Sequence, residues 1–443
     1  MKNKAVLKKQ LFHLLLGSFL SVQVLAQQST DKSFYSNSHL IEKEAFDRKV
    51  ELMIETVGIP AVSIAVIENN EVVYTKTYGV KELSKNNPTN SHTLFEGASL
   101  TKLFLVYVVN KLVEEGKFDL DQPMYKYLEH EELKYDDRYK LITPRMIMSH
   151  SSGIENWKWF NDENVLEILA DPGTEFVYSG EGFQYLAKVI EKVTGKPYDQ
   201  YIQEMVIKPF KLNDTYMEYG KRFLSFGKKA THNYAIGYNE YRSAYPKWKN
   251  LETVPASGVH CNAAAIAELI IQTFNGKNLS QTTISRMQFP QVELPFVESG
   301  DSISFSCGLG YLQIQSPSDS IVAFSGINEG FRSEVFYSTV SNRGFVFLTN
   351  SDRGGMIITE LNRMTANLSI ETIFADAQFQ QYPSEFITIQ KMYNETKAIG
   401  LTDQILELQN KGTIGETEIS AIADWLAAID EELSVEILNL IKN

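Results

Sequence analysis

Apolar residues recur at helical spacing between Lys43 and Val57, at Phe46, Val50, Met53, Ile54 and Val57, and Gly58 and Pro60 end the pattern. Two β-rich runs follow, VSIAVIE and EVVYTKTYG, joined by Asn69-Asn70, and together they predict a hairpin. The stretch SLTKLFLVYVVNKLVEE, Ser99 to Glu115, is apolar on nearly every side after Lys102 and predicts a buried central helix. Residues 120–215 read as mostly helical, broken by Pro123, Pro144, Pro172 and Pro209. Strand signals return in CGLGYLQIQ, SIVAFSG, RSEVFYSTV and GFVFLTNS, with the turn punctuation of an antiparallel meander. A hairpin early, strands late and helices between predict an α+β fold in which both ends complete one sheet and helices cover it. After Tyr382 the pattern is helical again, broken at Gly400, Gly412 and Gly415, so residues 383–443 read as a small C-terminal helical extension.

The chain opens differently. Lys2, Lys4, Lys8 and Lys9 precede the apolar run LFHLLLGSFLSVQVLA, which ends in Val24-Leu25-Ala26. This is the layout of a cleavable export signal over residues 1–26, too short for a permanent span, and it places the mature protein in the periplasm or outside the cell. Residues 27–41, polar and rich in Ser, Asn and Lys, read as a flexible lead-in, and the main domain as 42–378. A net charge of −13 disfavours nucleic acid and anionic membrane surfaces as partners, and leaves a small molecule or peptide open as substrate. Cys261 and Cys307 are the only cysteines; they form one optional bridge at most, and buried small residues are the simpler reading. Neither metal-ligand spacing nor a phosphate loop is present, so no cofactor is expected.

Ser-x-x-Lys occurs three times, at Ser29/Lys32, Ser99/Lys102 and Ser225/Lys228. The first lies in the polar lead-in and the third beside Gly227 and paired lysines, whereas Ser99 opens the buried helix. Residues three apart share a helix face, so the Lys102 amine reaches the Ser99 hydroxyl. An amine in apolar surroundings has its charged form disfavoured and becomes a proton acceptor. The N–H groups of a helix start favour developing negative charge, so that of Ser99 is a candidate oxyanion donor. The bland alternative is a capping serine and an ion-paired lysine. Tyr178, in PGTEFVYSGEGFQYL, sits on a Gly-flanked turn ahead of an amphipathic helix; near a lysine it is a candidate base, and otherwise a packing residue. Which of Lys102 and Tyr178 is the base stays open, since coupled groups titrate as a pair.

GASLTK, YSGEGFQYL and FSGINEGFRS before LTNSD stand in the order seen in the penicillin-recognising serine hydrolases. With IPAVSIAVIENNEVVYTKTYG, LVEEGKFDLDQP, ITPRMIMSHSSGI and ASGVHCNAAAIAELI, the chain resembles the class C β-lactamase-like family and its esterase and D-peptidase relatives over roughly residues 42–375. The resemblance implies a transpeptidase-like fold, an antiparallel sheet flanked by helices beside an all-helical lobe. It implies Ser99 as acylated nucleophile, Lys102 as proton-relay partner and Tyr178 as the shuttle to the leaving group. The second oxyanion donor would be the N–H of Ile327, after Phe324-Ser325-Gly326, and SHSSG with His150 would pack beside the site. Two positions depart from the family's pattern. Gly180 replaces the asparagine of Tyr-Ser-Asn, and Phe324 stands where Lys, His or Trp is usual. Arg332 is a candidate to supply the missing cation, or an ordinary surface residue. The expected function is an exported serine hydrolase acting through an acyl-enzyme on a D-amino-acid peptide, small ester or β-lactam. The alternative is a catalytically weak relative that binds cell-wall fragments or a protein partner.

Overall fold

The computed structural model describes residues 32–161, 163, 165–217, 233–246, 253–294 and 303–370, then 389, 392–393, 399–412, 414–427 and 430–442. The export signal, Ser29, the Ser225/Lys228 pair and the junction at 378–383 lie outside the described residues.

The elements run β1 (Ser33–Ser36), β2 (His39–Glu42), α1 (Lys43–Val57), β3 (Ala61–Glu68), β4 (Glu71–Glu82), β5 (Asn87–Pro88), β6 (Phe95–Ala98), α2 (Thr101–Glu114) and α3 (Pro144–Met148). Next come α4 (Gly180–Thr194), α5 (Tyr198–Ile202), β7 (Val259–Cys261), α6 (Ala263–Phe274), α7 (Gln281–Gln288), β8 (Val292–Glu293) and β9 (Ser304–Cys307). The chain continues with β10 (Leu312–Gln315), β11 (Ser320–Asn328), β12 (Phe331–Ser338), β13 (Arg343–Thr349) and α8 (Ile358–Met364). Three helices close it, α9 (Leu401–Asn410), α10 (Glu416–Ala427) and α11 (Glu431–Lys442).

The main sheet has the order β5-β4-β3-β13-β12-β11-β10-β9-β8, so the early hairpin and the late meander meet where β3 pairs antiparallel with β13. Asn69 and Asn70 both take positive φ, as the tight turn between β3 and β4 requires. Alternation along β3 divides the core. Val62, Ile64 and Val66 pack with Phe46, Val50 and Ile54 of α1, while Ala61, Ala65 and Ile67 belong to the larger core that contains α2 and α6. Every residue of α2 except Lys111, Val113 and Glu114 is buried. That is the all-round burial its composition predicts.

Two expectations change. Between 120 and 215 the helices are α3, α4, α5 and a π-turn that prolongs α5; much of the remainder is single 3-10 turns and irregular chain. Pro123 and Pro144 each open a short turn rather than interrupt a long helix. The polar lead-in is also structured from Ser33 to Glu42, as the hairpin β1–β2. Phe34 drives this: it is buried, stacked on Tyr74 at 4.7 Å and edge-on to Phe46 at 5.4 Å. Cys261 and Cys307 are both free and buried. The last three helices gather Leu401, Ile405, Ile419, Ile422, Leu426, Leu433 and Ile437 into a core of their own, against which Tyr241 packs.

Candidate active site

Strand β6 pairs with β7 and ends at Ala98, whose φ of 46° is left-handed, an uncommon conformation for a residue with a β-carbon. This sharp reversal lifts Ser99 out of the strand and into the turn that starts α2. Thr101 Oγ donates to the Ala98 carbonyl and receives the Val259 N–H at 2.9 Å, tying turn, strand and helix together. Ser99 stays partly accessible, whereas Lys102 is wholly buried. The Lys102 amine lies 3.2 Å from Ser99 Oγ and donates to the Ala256 carbonyl at 2.8 Å. The Tyr178 and Phe183 rings lie 4.9 and 5.5 Å from it. Burial brings its pKa down to about 7, so much of this lysine is a neutral amine at physiological pH.

Tyr178 precedes α4, whose N-cap Ser179 accepts the Gly182 N–H at 2.8 Å. Burial raises the phenol's pKa above its ordinary value, against the lowering effect of the nearby Ser99 side chain. His150 lies against the Tyr178 ring, centroids 4.2 Å apart and planes 26° from parallel. Its Nδ1 accepts the Ser179 N–H at 3.1 Å, which puts the imidazole proton on Nε2. Burial, reinforced by Lys102 whenever that amine is protonated, holds the ring well below its usual pKa, so it is a neutral plate backing Tyr178. This is the packing role expected for SHSSG.

The third motif lies on β11. A β-carbon on Gly326 would sit 2.2 Å from Ser333 Oγ, 2.4 Å from the Gly97 carbonyl and 3.2 Å from the Ser99 nitrogen. Only glycine lets this strand approach the Ser99 turn so closely. Ser333 Oγ, on β12, donates to the Gly97 carbonyl at 2.9 Å and lies 3.4 Å from the Gly326 carbonyl, bridging the two segments. Ile327, 63% exposed, lines the cleft with Ser99 and Tyr178. Ser325 donates to Glu334 at 2.6 Å, and burial pushes that carboxyl up to about 8 against the lowering effects of Ser325 and Arg332.

Two of the sequence candidates lie elsewhere. Phe324 is buried in the core shared with α2, because alternation on β11 turns it inward; it does not line the cleft. Arg332 is held by Asp352 at 2.7 Å and donates to the carbonyls of Asn328 and Phe331, so it braces the β11–β12 turn rather than facing substrate. Gly180 is buried, its N–H bonded to Asn156. A β-carbon there would lie 2.4 Å from the Trp157 ring: the indole fills the space a side chain at 180 would take.

The cleft over Ser99 measures about 890 Å³. Its lining includes Ser99, Tyr178 and Ser257, the apolar Trp157, Trp159, Phe160, Val254, Ile327 and Phe331, and the acidic Glu96 and Glu329. Sequence reasoning missed Ala256, Ser333, Glu334 and the tryptophans. Ala256, Ser333 and Glu334 fall inside segments quoted for other reasons, Trp157 and Trp159 lie outside them, and nothing local marks Ala256 as touching Lys102 or Trp157 as touching Gly180.

A family model described as Beta-lactamase matches residues 46–365. Protein flp of Staphylococcus aureus (strain MW2) is 29% identical over 211 residues, 44% of this chain and 41% of that protein. A putative D-alanyl-D-alanine carboxypeptidase of Escherichia coli (strain K12) is 25% identical over 221 residues, 43% of this chain and 50% of that protein. The chain thus spans half or less of the length of these curated relatives. The solved structure of an octameric penicillin-binding protein homologue from Pyrococcus abyssi superposes with a TM-score of 0.61 at 20% identity, covering 80% of this chain and 82% of that one, a likeness of fold.

Proposed function

The chain belongs to the beta-lactamase family, and on that footing we propose that it is an exported serine hydrolase acting through an acyl-enzyme at Ser99 on an amide or ester. The observation that carries this reading is the Lys102 amine, desolvated to a pKa of about 7 and 3.2 Å from Ser99 Oγ. With one N–H given to the Ala256 carbonyl, the neutral amine has its lone pair for the Ser99 proton.

Ser99 Oγ attacks the substrate carbonyl carbon as its proton passes to Lys102. Negative charge collects on the carbonyl oxygen, where the N–H groups of Ser99 and Ile327 receive it. Collapse of the tetrahedral intermediate breaks the bond to the leaving group, which takes a proton from the Tyr178 hydroxyl. Lys102 passes the proton it took from Ser99 to the Tyr178 phenolate, and water then attacks the acyl-enzyme by the same steps in reverse. The raised pKa of Tyr178 supports this division, since a phenol that keeps its proton at rest is not the base that activates Ser99.

Intact-mass spectrometry after exposure to a fluorophosphonate, and separately to a penicillin, tests the reading. One fluorophosphonate adduct, absent in Ser99→Ala, is expected. No adduct on folded protein would move the reading to a binding relative. Export rests on residues 1–26 and predicts a mature N-terminus at Gln27 in protein recovered from outside the cytoplasm.

A further inference from the structure

Beside the Ser99 cleft the chain builds an aromatic wall from adjacent positions. Trp157 and Trp159 stack with centroids 4.5 Å apart and planes 14° from parallel, and Phe160 stands edge-on to Trp159 at 6.4 Å. Trp159 is 57% exposed and Phe160 70%, an arrangement that leaves large apolar faces in water beside the nucleophile. The wall is anchored at its inner end. Trp157 occupies the space over Gly180, and the Gly180 and Glu181 N–H groups bond to the Asn156 carbonyl one residue before the indole. A side chain at 180 and the indole of 157 exclude one another, so the bare backbone at 180 is what admits the wall into the cleft. Ile327 and Phe331 add apolar surface to the same cleft.

Among the described residues, the charged side chains that line this cleft are carboxylates. Glu96 accepts from Asn328 at 2.8 Å, and Glu329 is exposed at the rim. A substrate carboxylate entering here meets like charge. Lys158, between the two tryptophans, is paired with Glu132 at 2.8 Å, and Arg332 is committed to Asp352.

We propose that Trp157, Trp159 and Phe160 form the acyl-group subsite, and that it selects uncharged esters whose acyl group bears an aromatic ring over esters or peptides carrying a free carboxylate. This rests on Ser99 being the nucleophile. An aryl ring laid against the exposed face of Trp159 extends the existing stack, gaining dispersion and apolar burial. The ester carbonyl then lies over Ser99 between the Ser99 and Ile327 N–H groups, with the leaving group towards Tyr178.

The experiment compares kcat/KM of the full mature chain for three p-nitrophenyl esters: acetate, phenylacetate and the charged hemisuccinate. Wild type is expected to prefer phenylacetate over acetate by about tenfold or more and to handle hemisuccinate worse than acetate. In Trp159→Ala, Phe160→Ala and Gly180→Asn the phenylacetate-to-acetate ratio is expected to fall to within about threefold of one. The two rim variants remove exposed side chains, and their melting curves report whether the fold is kept. Ser99-dependent hydrolysis with no aryl preference, or a preference that survives all three variants, overturns the subsite while leaving the nucleophile standing. A fluorophosphonate adduct at Ser99 without turnover of any of these esters overturns it too. Absence of that adduct removes the nucleophile, and the subsite with it.

Discussion

An amine enclosed by the Tyr178 and Phe183 rings is held against its own preference for water, and two measurable consequences follow at Lys102. Activity requires the neutral form, so kcat/KM should rise with pH through about 7 and level off above it. Stability carries the same signature. Between pH 7 and 10 the unfolded chain binds a proton at this lysine that the folded chain has released, so the stability contributed here rises with pH across that window. Lys102→Met removes both effects. Turnover should drop by about a thousandfold or more. The stability of wild type relative to the variant should climb by up to roughly 4 kcal/mol from pH 7 to pH 10, read from denaturant titrations at each pH. A gap independent of pH would show that the amine is charged in the folded protein. Ser99 and Lys102 were legible in sequence because their relation is local, three residues apart at a helix start. Arg332 was not, since its partner Asp352 lies beyond the next strand, nor was Gly180, whose meaning depends on an indole from a separate loop.

At the scale of elements the site depends on β11 lying against the β6–α2 turn, with Ser333 on β12 as the bridge. Ser333→Ala loses the bond to the Gly97 carbonyl, which keeps only the Leu100 N–H at 3.0 Å, at a cost of about 1 kcal/mol in stability. It should lower kcat by about tenfold with little change in KM, because the spacing of two oxyanion donors is what loosens. Gly326→Ala is harsher. Its β-carbon meets Ser333 Oγ and the Gly97 carbonyl at 2.2 and 2.4 Å, so strand and turn must part. A loss of at least about a hundredfold in kcat is expected while circular dichroism stays native. Near-wild-type kcat in Gly326→Ala would mean that β11 supplies no donor. The long elements of this frame were readable: α1, the Asn69-Asn70 hairpin, α2 and the meander each carry enough residues for periodicity to speak. Strands β6 and β7, four and three residues long, were not. Neither was the chain between Pro123 and Ser179, whose single turns are fixed by distant partners; Glu155, for example, receives the Glu167 N–H and Asn161.

Across the whole molecule the apolar residues fall into separate clusters, and their division predicts how the chain comes apart. The two large cores share the main sheet, so α1, α2 and the strands should unfold together. The helices after Gly400 bury Leu401, Ile405, Ile419, Ile422, Leu426, Leu433 and Ile437 against one another, and among the described residues of the main domain only Tyr241 is among the partly buried residues packed there. A cluster with its own interior and a narrow attachment behaves as its own cooperative unit. A chain ending at residue 378 should therefore fold, keep Ser99-dependent esterase activity within about threefold of the full chain and melt within a few degrees of its main transition. The full chain should show a second, smaller transition that the shortened chain lacks. If the shortened chain is insoluble, the contact at Tyr241 is a brace without which the neighbouring Gly237–Tyr245 loop fails. That loop forms one side of the cleft, and its Tyr238 hydroxyl receives the Leu83 N–H. The helical extension would then be part of the catalytic machinery's scaffold, and Tyr241→Ala in the full chain should reproduce the loss of activity.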